Sequence, residues 1–93
     1  MDVECVFFGP LRESVGEKTV VRDTDATTVG DLLADLEADY PEMQALVEDG
    51  ELVPGVAVTL NTKHVQHLAG LDTELSADDV LRLTPAVYGG SGT

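Results

Sequence analysis

Ninety-three residues with 43% apolar side chains make one domain, long enough for a single core and too apolar for a disordered segment. Eighteen acidic against five basic residues leave a net charge of −13, which excludes nucleic acid and anionic membranes as partners, since both need clustered Lys and Arg. No apolar run approaches the roughly 20 residues that span a bilayer, the acidic start Met1-Asp2-Val3-Glu4 does not read as a signal peptide, and the lone Cys5 has no partner for an internal disulfide; together these predict a cytoplasmic protein.

The acids admit two readings. They steer a basic partner, or they keep the chain solvated in a salt-rich cytoplasm, where the Debye length near 1 M falls to about 3 Å. They are spread along the whole chain, which favours the second, halophilic reading.

Val3-Glu4-Cys5-Val6-Phe7-Phe8 reads as a strand, with Val3, Cys5 and Phe7 on one face and Glu4, Val6 and Phe8 on the other. Gly9-Pro10 breaks it, and residues 11–16 are expected to be a connection. Residues 17–22 form a second strand, so the first two make a hairpin with a wide loop. Thr28-Val29-Gly30-Asp31 has the form of a helix start, with Thr28 as N-cap. Val29, Leu32, Leu33 and Leu36 follow at i, i+3, i+4 and i+7, and Tyr40 extends the stripe. Burying five such side chains at about 2 kcal/mol each gives on the order of 10 kcal/mol of gross stabilisation. Asp31, Asp35, Glu37 and Asp39 lie mostly off the stripe, as a solvated face. Pro41 ends the helix, and residues 42–48 are expected to form a short second helical piece.

Residues 56–60 are a third strand and residues 64–68 a short one after the turn Asn61-Thr62-Lys63. In the last strand, residues 80–84, Leu81 and Leu83 face in, while Val80, Arg82 and Thr84 face out; Pro85 has no N–H to continue the pairing. One long helix stripe over one sheet is an α+β two-layer domain.

Catalytic chemistry is not expected. His64 and His67, three apart on a strand, would put their rings on opposite faces, poor geometry for sharing a metal, so no metal site is expected. Cys5 reads as a small core hydrophobe, with a thiol relay as the alternative. No Gly-rich phosphate cradle follows a strand and opens a helix. The chain is predicted to be no enzyme and to hold no cofactor.

Three stretches resemble the ubiquitin-like β-grasp sulfur carriers and modifiers, the family of the molybdopterin-synthase small subunit (MoaD-like) and the small archaeal modifier proteins. Phe7-Phe8-Gly9-Pro10-Leu11-Arg12-Glu13 is similar to the family's Phe-Phe-Ala-x-Leu-Arg-Glu. Thr28-Val29-Gly30-Asp31-Leu32-Leu33 is the second, with Leu36 and Tyr40-Pro41 downstream. Asp79, Leu81, Leu83, Pro85, Val87 and Gly89-Gly90 make the third. There are departures. Thr84 stands where an aromatic is common, Ala86 where a second proline is, Tyr88 where a small residue is, and Ser91-Gly92-Thr93 follow a diglycine at which the family's chains usually stop.

The resemblance implies a β-grasp fold over residues 1–88, one main helix on a mixed four- or five-stranded sheet, and a diglycine tail over residues 89–93. It also implies a function. In this family an E1-like enzyme uses ATP to adenylate the terminal glycine carboxylate, which then becomes a thiocarboxylate for sulfur delivery or is passed through a thioester to a lysine amine. Gly89 and Gly90 carry that role here. Residues 85–90 reach about 20 Å at roughly 3.3 Å per residue, enough to thread a narrow channel that a Cβ would crowd. Gly90 is amide-linked to Ser91, so a protease is expected to cut between them; the alternatives are that residues 91–93 are foreign to the natural chain, or that the protein only binds. Phe8, Val87 and Tyr88 are expected to dock the E1-like enzyme. Lys18 and Lys63 are the only lysines, hence the only acceptors for chain formation. The implied partners are the E1-like enzyme, the protease, and target proteins or a molybdopterin-synthase large subunit. The alternatives to a modifier are a subunit dedicated to molybdopterin sulfur transfer and a non-conjugating interaction domain.

Overall fold

The structure is a computed structural model that describes residues 1–85. In chain order it runs β1 (Asp2–Phe7), α1 (Gly9–Val15), β2 (Thr19–Asp23), α2 (Val29–Asp39), β3 (Val47–Glu48), β4 (Glu51–Leu52), β5 (Val56–Leu60), β6 (Lys63–His64) and β7 (Val80–Pro85), with single 3₁₀ turns at Val65–His67 and Gly70–Asp72.

Five strands form one sheet in the order β2-β1-β7-β5-β6, and β3 and β4 pair separately. β1 and β7 are parallel and the other pairs antiparallel. The register lines the inward residues up in rows: Cys5 opposite Leu81 opposite Leu60, and Phe7 opposite Leu83 opposite Val58. All six are buried, so period-2 alternation on three strands makes one continuous apolar floor.

Helix α2 covers that floor. Thr28 is its N-cap, in extended backbone, and its hydroxyl accepts the Asp31 N–H at 3.2 Å. Val29, Leu32, Leu33 and Leu36 are fully buried in the same cluster as the sheet residues. Tyr40 closes the helix half-buried, its ring edge-on to Phe7 with centroids 6.3 Å apart. Gly30 lets the helix approach the Gly70–Asp72 turn closely, because a Cβ there would stand 3.1 Å from the Leu71 Cβ and carbonyl oxygen. The expected two-layer β-grasp with one main helix on a mixed sheet is the fold observed, at five strands.

Three local expectations are corrected. Residues 9–15 are a helix, where Gly9-Pro10 is expected as a break and residues 11–16 as a connection. Gly9 takes φ +56 as the chain turns out of β1, Pro10 sits in the first turn, and Gly16 caps the end at φ +89 with its N–H on the Arg12 carbonyl at 2.8 Å. Residues 42–48 are not helical. Glu37, expected to be solvated, is half-buried and accepts the N–H groups of Leu46 at 2.7 Å and Val47 at 3.3 Å. That fixes the segment extended, drops Leu46 into the core and leads into β3. Residues 64–68 form a strand only at Lys63–His64, because burial of Val65 turns the chain into a 3₁₀ turn. Val6 lies on the outer face of β1 and is nonetheless buried, in register with Thr19 and Arg82.

None of the eighteen acids is buried; Glu4, Glu37 and Asp79 are half-buried and the rest exposed. Arg22 on β2 pairs with Asp39 at the end of α2, but most of the negative charge is uncompensated at the surface. Self-repulsion of this kind is screened by salt. The melting temperature should therefore climb steadily from low to molar potassium chloride. A flat profile in differential scanning calorimetry would mean that the acids face a basic partner instead.

Candidate functional site: the exit of the last strand

β7 is the third of the five strands, hydrogen-bonded to β1 on one side and to β5 on the other. Its last register pair is Pro85 opposite Val56. β7 therefore ends in the middle of the sheet, anchored along both edges. Gly89 and Gly90, the expected cleavage junction Gly90–Ser91, and the expected docking residues Val87 and Tyr88 lie outside the described residues.

Two elements frame the exit. Phe8 follows β1 in extended backbone, and its N–H donates to the Leu83 carbonyl at 3.2 Å, two residues before Pro85. Helix α1 starts from there and is held by its one buried side chain, Leu11. Lys18 lies at the same end of the sheet: its carbonyl accepts the Phe7 N–H at 2.7 Å, and its ammonium stands 5.8 Å from the Phe8 ring centroid. Phe8 is half-buried under that lysine. Lys63 is exposed on the edge strand β6, paired with Leu60, which pairs with Leu81 at the far end of β7. The structure thus brings Phe8 and Lys18 together at the exit and sets Lys63 apart from them.

The outer face of the sheet carries Glu4, Val21, Val80, Arg82 and Thr84. Val21 is 61% exposed, the largest exposure among the large apolar side chains described. Arg82 on that face donates to the Asn61 carbonyl at 2.8 Å. Sequence reasoning did not single out Val21; the alternation of β2, with Val20 inward and Val21 outward, is the signal that marks it.

The remaining chemistry-bearing residues do not make a reaction centre. Cys5 is fully buried, and burial pushes its thiol up to about 11, partly offset by the nearby Arg22 charge. It is a core residue, and a thiol relay through it is overturned. A cleft of about 300 Å³ between the β3–β4 hairpin and the Gly70–Asp72 turn is lined by Glu51, Leu52, Gln66, Leu71 and Asp72 among others, with no Ser, Cys, His or Lys side chain. His64 and His67 are exposed, and their rings are not on opposite faces as expected; they lie 5.9 Å apart at a tilt of 56°. No helix among the described residues is long and apolar enough to cross a membrane.

Residues 5–90 match the model of the ThiS family. The chain is 44% identical over 92 residues to small archaeal modifier protein 3 of Haloferax volcanii, covering 97% of this chain and 100% of that one. The solution structure of a Haloferax volcanii protein superposes with a TM-score of 0.84 at 43% identity, over 97% of this chain and 87% of that one. The crystal structure of the BexX/CysO complex of Amycolatopsis orientalis contains a chain that superposes with a TM-score of 0.78 at 29% identity, over 90% of this chain and 94% of that one. The β-grasp fold, the three stretches found in order, and these matches over nearly the whole length lead to one conclusion: the chain belongs to the ThiS family of ubiquitin-like β-grasp sulfur carriers and modifiers.

Proposed function

We propose that the protein is a ubiquitin-like modifier, a sulfur carrier, or both, working in the cytoplasm of a halophilic cell through the carboxylate of Gly90 after residues 91–93 are removed. One observation carries this reading. β7 is anchored on both edges and ends at Pro85, five residues before Gly90, and Gly90 is where the family match ends. The β-grasp domain then presents the diglycine to an E1-like enzyme. ATP bound by that enzyme is attacked at its α-phosphorus by the Gly90 carboxylate, and pyrophosphate leaves. Hydrosulfide displaces AMP to give a thiocarboxylate, or a cysteine thiol of the enzyme displaces AMP to give a thioester, from which a lysine amine displaces the thiol to give an isopeptide. The domain itself supplies no catalytic group; it supplies a grip at the exit, where Phe8, Val87 and Tyr88 meet the enzyme. The relative found in complex with BexX supports a protein partner for this fold. Targets bearing lysines, or a molybdopterin-synthase large subunit, receive the product.

Intact-mass spectrometry of the protein purified from its own cells tests this. The expected species ends at Gly90. It carries either the mass difference between sulfur and oxygen at its terminus, or a covalent link to a target lysine. A population ending only at Thr93, with neither product in cells that express the E1-like enzyme, would leave a non-conjugating interaction domain.

A further inference from the structure

We infer that His64 and His67 form a two-histidine chelate for a borderline divalent transition ion such as Ni²⁺, Cu²⁺ or Zn²⁺. The argument begins with the turn. His64 ends β6 in extended backbone, and Val65 begins a 3₁₀ turn. A 3₁₀ turn has three residues per revolution, so side chains at i and i+3 eclipse instead of diverging as they would on a strand. The two imidazoles consequently share one face, with centroids 5.9 Å apart.

The turn is held on both sides. His64 is in register with Thr59 on β5, and Val65 is fully buried. The Leu68 N–H closes the turn on the Val65 carbonyl at 2.9 Å, and the Ala69 N–H donates to the Thr73 hydroxyl at 3.0 Å. Little backbone freedom is therefore lost on binding, which favours chelation.

The separation suits a shared ion. Imidazole nitrogens at about 2.0–2.1 Å from a tetrahedral ion bring two ring centroids to roughly 5 Å. Closing the rings by about 1 Å takes only side-chain rotation, and both side chains are exposed. Imidazole donors select Zn, Cu and Ni over hard cations. The net charge of −13 raises the local concentration of any divalent cation. No third Cys, His, Asp or Glu completes a cluster among the described residues. Water fills the remaining positions, so the site takes up and releases its ion readily.

The test uses the untagged full chain, free of metal, titrated with Zn²⁺ by calorimetry and by amide NMR. One ion should bind per chain, with shifts centred on residues 63–68. His64→Ala and His67→Ala should each weaken binding at least about tenfold, because each removes a second ligand held at high effective concentration. His67→Gln, which keeps side-chain bulk, should lose as much. Excess Mg²⁺ or Ca²⁺ should not compete. Unchanged affinity in the double variant, a loss confined to one histidine, or shifts spread over the acidic surface would overturn the chelate.

Discussion

A chain ending at Gly90 should be adenylated by an E1-like enzyme, and the chain ending at Thr93 should not be. The difference should be all or none in ATP–pyrophosphate exchange, because adenylation needs a carboxylate and the Gly90–Ser91 peptide bond offers none. The Thr93 carboxylate is three residues further along and carries a β-branched side chain that is stiff at χ1 and wide. Adding the processing protease to the full chain should restore exchange. Gly90→Val in the shortened chain checks the channel from the other side: if a narrow slot reads the diglycine, exchange should fall steeply while the melting temperature stays unchanged. Efficient exchange with the uncut chain or with the valine variant would show that the partner does not read the diglycine.

Leu36→Asp should abolish cooperative folding. Leu36 is fully buried in the cluster between α2 and the sheet, among Leu32, Leu33, Phe7 and Leu83. Aspartate there loses the apolar burial, worth about 2 kcal/mol, and adds an unpaired buried charge costing about 3–5 kcal/mol. Together these reach the lower part of the roughly 5–15 kcal/mol by which small domains are stable. Leu36→Ala should remove about 2–5 kcal/mol and leave a weakened but cooperative transition. Circular dichroism melts in molar salt check both. A native-like melt of the aspartate variant would mean that this helix face is not the core.

The elements that periodicity encodes were legible. β1, β2, β5 and β7 alternate, and α2 carries its stripe and its Thr28 cap, because burial on one face imposes period 2 or 3.6 on the sequence. Helix α1 was not read as one. It is seven residues long and buries only Leu11, so it has almost no stripe, although Pro10 near its start and Gly16 past its end are the asymmetry that marks a helix. Residues 42–48 were misread because Met43 and Leu46 sit at helical spacing and both are buried. The N–H groups that would serve a helix there go to Glu37, nine and ten residues away, which local propensity does not register.

The candidate site was legible in a different way. Diglycine chemistry came from the resemblance of three stretches, not from any arrangement of catalytic groups, and the tail itself lies outside the described residues. The sequence alone determined which faces are apolar, where the main helix begins, that the chain is strongly acidic, and that a glycine pair follows the last strand. Tertiary structure decided that β1 and β7 lie side by side and parallel, that Phe8 is tied to Leu83 at the exit with Lys18 above it, that Cys5 is sealed in the core, and that two histidines share a face. The physical reason is the range of the interactions. Burial patterns are written residue by residue and repeat along the chain. Strand partners, a carboxylate reaching across to a distant loop, and a turn forced by one buried valine are contacts between segments, and no local period records them.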